Sequence, residues 1–183
     1  VYPGLEPARN VLQTTLQNAN PVIHPVVTLL NAALLERTGG DFLFYEEGVT
    51  PGAGRLIEAV DRERIAVGEA LGIEVVPDPV LSLRQGYMTE ASYEDGYRTA
   101  PGFLGIKAQS SLDHRYLNED VGYGLVFLGA LGRQLGVATP IMDSVIALTS
   151  SLTNRDYTAE APRTPASLGI AGLDARELAD LVS

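Results

Sequence analysis

Thr50-Pro51-Gly52-Ala53-Gly54-Arg55-Leu56-Ile57-Glu58-Ala59-Val60 opens a run that closes at Leu71-Gly72, and its pattern is helical throughout. Threonine before proline reads as a cap followed by the helical position that tolerates a missing N–H. Ala53, Leu56, Ile57, Val60, Val67 and Leu71 then share one face at the helical period. Gly72 supplies the stop. Thr139-Pro140 repeats the start signal ahead of Ile141, Val145, Leu148 and Leu152.

The helical period persists elsewhere in the chain. Ala8, Val11, Leu12, Leu16 and Ala19 keep it, with Pro7 suited to a first turn, and Val26, Leu29, Leu30, Ala33 and Leu34 keep it up to Thr38-Gly39-Gly40. Pro21 and Pro25 lie between these stretches and predict a kink or break, with His24 inside it. A further helix is expected from about Asp120 to Leu135, stopped by Gly136. Thr164-Pro165 begins a shorter turn, and Asp174-Ala175-Arg176-Glu177 is a capping box before Leu178, Leu181 and Val182. Strand signal is confined to Ile73 to Val76, cut short by Pro77 and Pro79. Gly86 to Gly105 reads as a loop holding a short helix. The expectation is one all-α domain over residues 1–183, a helical bundle.

Composition narrows the function. Apolar residues are 45% and charged residues 20%, ordinary for a globular chain. The 13 basic and 23 acidic side chains leave a net charge of −10, which repels nucleic acid. No apolar run reaches the ~20 residues of a membrane span and no signal segment is present, so a cytoplasmic setting is expected, with no membrane partner. Cysteine is absent, and two distant histidines make no metal site. Lys107 is the single lysine, so a catalytic lysine could stand nowhere else. The chain opens on Val1-Tyr2-Pro3-Gly4 and reads as a segment of something longer.

Two segments carry candidate chemistry. His24, in Asn20-Pro21-Val22-Ile23-His24-Pro25, reads either as a core histidine bonded to a carbonyl or as an acid/base aimed by the proline irregularity. Asn20, Thr28 and Asn31 make a polar stripe beside it that needs partners. Arg115 to Asp120 reads either as a solvated helix start, its acids favoured by the macrodipole, or as an arginine and a carboxylate placed for a substrate. Spacing leaves both choices open. His114 is expected on the surface or just behind the site.

Together these stretches resemble the opine dehydrogenase family, C-terminal domain. The family carries an Asn-x-x-x-His-Pro stretch and, farther on, Arg-Tyr-x-x-Glu-Asp; here they are Asn20 to Pro25 and Arg115 to Asp120. Glu6-Pro7-Ala8-Arg9-Asn10-Val11-Leu12, Thr28-Leu29-Leu30-Asn31-Ala32-Ala33, Tyr45-x-Glu47-Gly48-x-Thr50-Pro51 and Thr139-Pro140 are similar as well. The likeness spans most of residues 5 to 175, nearest the N-(1-carboxyethyl)norvaline dehydrogenase type.

The resemblance implies a bundle like the C-terminal domain of 6-phosphogluconate-dehydrogenase-like enzymes. It also implies reductive condensation of a 2-oxo acid with an amino acid. His24 would be the general acid/base, Asp120 the carboxylate orienting it, Arg115 the grip on a substrate carboxylate, and Asn20 a further substrate contact. NAD or NADP would bind mainly to an N-terminal Rossmann domain of about 180 residues, a typical domain size. Gly52-Ala53-Gly54 and Gly122-Tyr123-Gly124 lack the fingerprint for it. Alone, the segment would be inactive and would leave His24 and Arg115 solvent-exposed; a homodimer is also expected as a possibility. The competing readings are a helical dimerisation or docking module, and the second domain of a glycerol-3-phosphate or ketopantoate-type dehydrogenase with Lys107 as its lysine.

Overall fold

A computed structural model describes residues 7–182. The Val1-Tyr2-Pro3-Gly4 start and the Glu6 of the first family-like stretch lie outside them. Among the described residues ten α-helices follow in order: α1 (Val11–Gln17), α2 (Asn20–Leu30), α3 (Ala32–Thr38), α4 (Pro51–Ala70), α5 (Asp78–Arg84), α6 (Asp95–Arg98), α7 (Arg115–Asn118), α8 (Val126–Gln134), α9 (Pro140–Thr153) and α10 (Ala175–Leu181). A π-helical turn, Asp120–Leu125, joins α7 to α8. Among the described residues there is no strand, only an isolated bridge between Leu43 and Lys107. The fold class is all-α, as the periodicity implies.

Local signals set most of the boundaries. The Thr50 side chain accepts from the Ala53 N–H and starts α4. Asp174 and Glu177 make the reciprocal box of α10. Asn10 caps α1, its side chain accepting from Gln13 N–H at 3.0 Å, so Pro7 precedes the first turn rather than sitting in it. The expected helix from Ala8 to Ala19 is therefore shorter, ending at Gln17.

Prolines behave better than expected. Pro21 falls in the first turn of α2, where there is no donor to lose, and α2 continues through Pro25 without a break. The interruption comes later, at Asn31, whose amide donates to the carbonyls of Val27 (2.8 Å) and Gly48 (3.0 Å) and so separates α2 from α3. Pro79 likewise falls in the first turn of α5, although with Pro77 it suggests only the end of a short strand.

One buried network locks the α1 end to the segment before α5. Arg64 of α4 is completely buried, with Nε donating to Asp61 Oδ1 at 2.6 Å and its Nη atoms donating to the carbonyls of Leu16 and Val76. Asp61 Oδ2 accepts from Tyr93 Oη (2.6 Å) and the Asp78 N–H (3.0 Å). Gln17 pairs with both backbone groups of Val76. Val76 thus satisfies its backbone through side chains rather than a sheet.

Candidate active site

α2 and the π-helical turn cross at close range because Gly124 has no side chain. A Cβ there would stand 2.5 Å from Pro21 Cγ. The turn itself is marked by the Gly124 N–H reaching back five residues to Glu119 at 3.2 Å, while Tyr123 N–H bonds the same carbonyl at 2.8 Å. Interruptions of this kind re-aim side chains. Here the result points Asp120 at α2. Asp120 Oδ2 lies 2.8 Å from His24 Nδ1, and both residues are buried.

The other side of the imidazole is also engaged. His24 Nε2 is 3.0 Å from the Tyr45 hydroxyl. A carboxylate can only accept from Nδ1, so Nδ1 carries the hydrogen and Nε2 receives the Tyr45 O–H. Tyr116 stacks on the ring with centroids 3.9 Å apart, and Phe44 meets it edge-on at 6.0 Å. His24 is 7% exposed as a result. The expectation that it would face solvent is corrected: three aromatic rings cover it.

Tyr45 connects this pair to a cleft of about 820 Å³ between the α1–α2 junction and α5. Its wall includes Asn20, Tyr45, Asp78, Ser82, Arg84 and Phe103. Phe103 stacks on Tyr45 at 4.5 Å. Burial, then the neighbouring Tyr116, Asp78 and Asp120, push the Tyr45 phenol well above its ordinary pKa. Burial likewise raises the Asp78 carboxyl, against the lowering effect of the bond it accepts from Tyr97 Oη at 2.5 Å.

The predicted residues therefore separate. His24 and Asp120 meet across 96 residues. Asn20 lies on the cleft wall and is exposed. Arg115 starts α7 with its side chain 55% exposed and its guanidinium 3.2 Å from Glu119 Oε2. The polar stripe dissolves: Thr28 Oγ1 accepts from Gln109 Nε2 at 3.0 Å, and Asn31 donates to the carbonyls of Val27 and Gly48. The downstream helix begins at Arg115, not Asp120, capped by His114, whose Nδ1 accepts from Tyr116 N–H at 3.3 Å. Burial, Arg115 and His24 hold the His114 pKa below its usual value. Tyr45 and Tyr116 received no role from sequence, although both sit inside the family-like stretches.

The model of the alpha-helical domain of NAD/NADP octopine/nopaline dehydrogenases matches residues 7–153. Opine dehydrogenase of Arthrobacter sp. (strain 1C) is 42% identical over 176 residues, covering 96% of this chain and 48% of that protein. Protein ocs of Agrobacterium tumefaciens (strain Ach5) is 29% identical over 171 residues, covering 93% and 47%. The chain thus spans about half the length of the curated relatives it matches. A solved octopine dehydrogenase with NADH and L-arginine shares the fold, with a TM-score of 0.72 at 17% identity, covering 93% of this chain and 49% of that one.

Proposed function

The chain belongs to the octopine/nopaline dehydrogenase family, matching its alpha-helical domain, and on that premise we propose that it is the substrate-binding and catalytic domain of an NAD(P)-dependent opine dehydrogenase. The reaction condenses a 2-oxo acid with the amine of an amino acid, and hydride from the nicotinamide reduces the imine. The observation that carries this reading is the buried His24–Asp120 pair, with Nδ1 and Oδ2 2.8 Å apart.

His24 would be the general acid/base, since imidazole exchanges protons near neutrality. Asp120 fixes the Nδ1–H tautomer and stabilises the ring once Nε2 is protonated. Arg115 is the grip on a substrate carboxylate, exchanging its surface pairing with Glu119 for a bidentate contact. Asn20, on the cleft wall, is a further substrate contact.

Among the described residues there is no strand, and hence no glycine-rich strand-to-helix turn of the Rossmann kind. We assign the dinucleotide to a Rossmann domain of the same polypeptide, and expect this chain alone to be inactive and the whole protein to be cytoplasmic. Lys107 does not support the glycerol-3-phosphate or ketopantoate alternative, because its exposed ammonium pairs with Asp41 at 2.6 Å.

The test is NAD(P)H oxidation by the full-length protein. It should require an oxo acid and an amino acid together; oxidation by the oxo acid alone, unchanged by amine, would defeat the proposal. Arg115→Lys should raise KM for the oxo acid by roughly tenfold or more, the scale of a lost charged contact. An unchanged KM would remove Arg115 from the site.

A further inference from the structure

His24 has an accessibility problem. It is 7% exposed, both ring nitrogens are occupied, and Tyr116 covers its face. It does not line the 820 Å³ cleft, whereas Tyr45, whose hydroxyl is bonded to its Nε2, does. Resting on the dehydrogenase reading above, we propose that Tyr45 is a further catalytic residue, a hydroxyl relay that carries protons between the substrate's reacting nitrogen or oxygen in the cleft and His24 Nε2.

The atoms balance. When the substrate ammonium is activated, its N–H bond breaks and the proton passes to Tyr45 Oη. The Tyr45 O–H bond breaks in the same step and that proton passes to Nε2. His24 becomes an imidazolium held by Asp120, and Tyr45 is again a neutral phenol. When the carbinolamine loses water, the chain runs backward. Nε2–H returns a proton to Tyr45, Tyr45 gives its own to the carbinolamine oxygen, the C–O bond breaks, and water leaves.

Three features suit Tyr45 to this. Its hydroxyl both donates and accepts, so it can serve neutral and protonated His24 in turn. Phe103 stacked at 4.5 Å and Phe44 edge-on at 5.1 Å fix its ring. Burial raises its pKa, so it passes a proton on without resting as a phenolate.

Tyr45→Phe in the full-length protein removes one oxygen and keeps the stacked ring. With oxo acid, amino acid and NAD(P)H, kcat should fall by at least ~10²-fold, the scale of lost acid–base catalysis, while both substrate KM values stay near wild type. The wild-type proton inventory of kcat in mixed H₂O and D₂O should be curved, from protons moving together, and that curvature should vanish in the variant. A wild-type kcat, a raised KM with kcat intact, or a slowed variant with unaltered curvature would each overturn the relay and leave the dehydrogenase reading standing. A wild-type protein that never couples amine and oxo acid would overturn that reading, and the relay with it.

Discussion

Two glycines in the same π-helical turn should respond in opposite ways to alanine, and the contrast tests how the site is assembled. At Gly122 an added Cβ meets its nearest neighbour, Tyr157 Cδ1, at 3.6 Å, an ordinary contact. At Gly124 it meets Pro21 Cγ at 2.5 Å and Pro21 Cβ at 2.7 Å. Pro21 cannot rotate away, so α2 and the turn must part by roughly an ångström. Alanine gains up to ~1 kcal/mol of helical preference over glycine, and that gain is common to both positions. Overpacking costs about 1–3 kcal/mol and falls on Gly124 alone. Gly124→Ala should therefore be less stable than Gly122→Ala by about 1–3 kcal/mol in urea unfolding. The same separation would stretch the 2.8 Å His24–Asp120 bond beyond the ~3.2 Å limit of a good hydrogen bond. A 1 Å misplacement costs up to ~10² in rate, so on the proposed function kcat of Gly124→Ala in the full-length protein should drop by roughly ten- to a hundredfold while Gly122→Ala stays active. Equal stabilities, or a fully active Gly124→Ala, would refute the claim that this close approach positions Asp120.

Arg64→Met should cost about 3–5 kcal/mol, because it strands buried Asp61 and removes donors from Leu16 and Val76; a loss below about 1 kcal/mol by urea titration would contradict the clamp. Asp78→Asn should become progressively more stable relative to wild type as pH rises above about 4. Burial raises the folded-state pKa of Asp78 above the unfolded value, so the native protein holds that proton longer and loses stability as pH climbs between the two. Melting temperatures across that range check this, and a flat difference would reject it. For His114 the direction reverses: its folded pKa is lowered, so its contribution is complete above about pH 6.5 and fades as pH falls. His114→Asn, which keeps a capping side chain, should flatten that acid-side loss in the same melts; an unchanged slope would exclude His114 as its source.

The fold was legible where the signals are local. Thr50 caps α4 through its own hydroxyl, and Asp174 with Glu177 does the same for α10. Thr139 shows where local reading stops. The helix starts at Pro140 as the sequence implies, but the Thr139 side chain makes no cap bond. Glu63 of α4 accepts from the N–H groups of Ile141 and Met142 instead, both at 2.8 Å. That partner is 78 residues away from Ile141, beyond any capping motif. The Arg64 network was hidden for the same reason, since its acceptors come from three separate segments. Pro79 is ambiguous on its own, because proline ends a strand and begins a helix equally well.

The site was legible in pieces. A histidine between prolines and an acid near a helix start have bland meanings on their own, and only the family resemblance joined His24 to Asp120. The π-helical turn that brings them together depends on Gly124 lying against Pro21, a tertiary contact with no local signature. Tyr45 was visible as a letter in a family-like stretch, yet its role follows from a 3.0 Å bond to a ring nitrogen 21 residues earlier.

If His24 moves the proton in the proposed dehydrogenase reaction, kcat of His24→Ala in the full-length protein must show it. With saturating oxo acid, amino acid and NAD(P)H, kcat should fall by at least ~10²-fold, with the far-ultraviolet circular dichroism of the wild type retained. Turnover within a few-fold of wild type would rule His24 out as the acid/base.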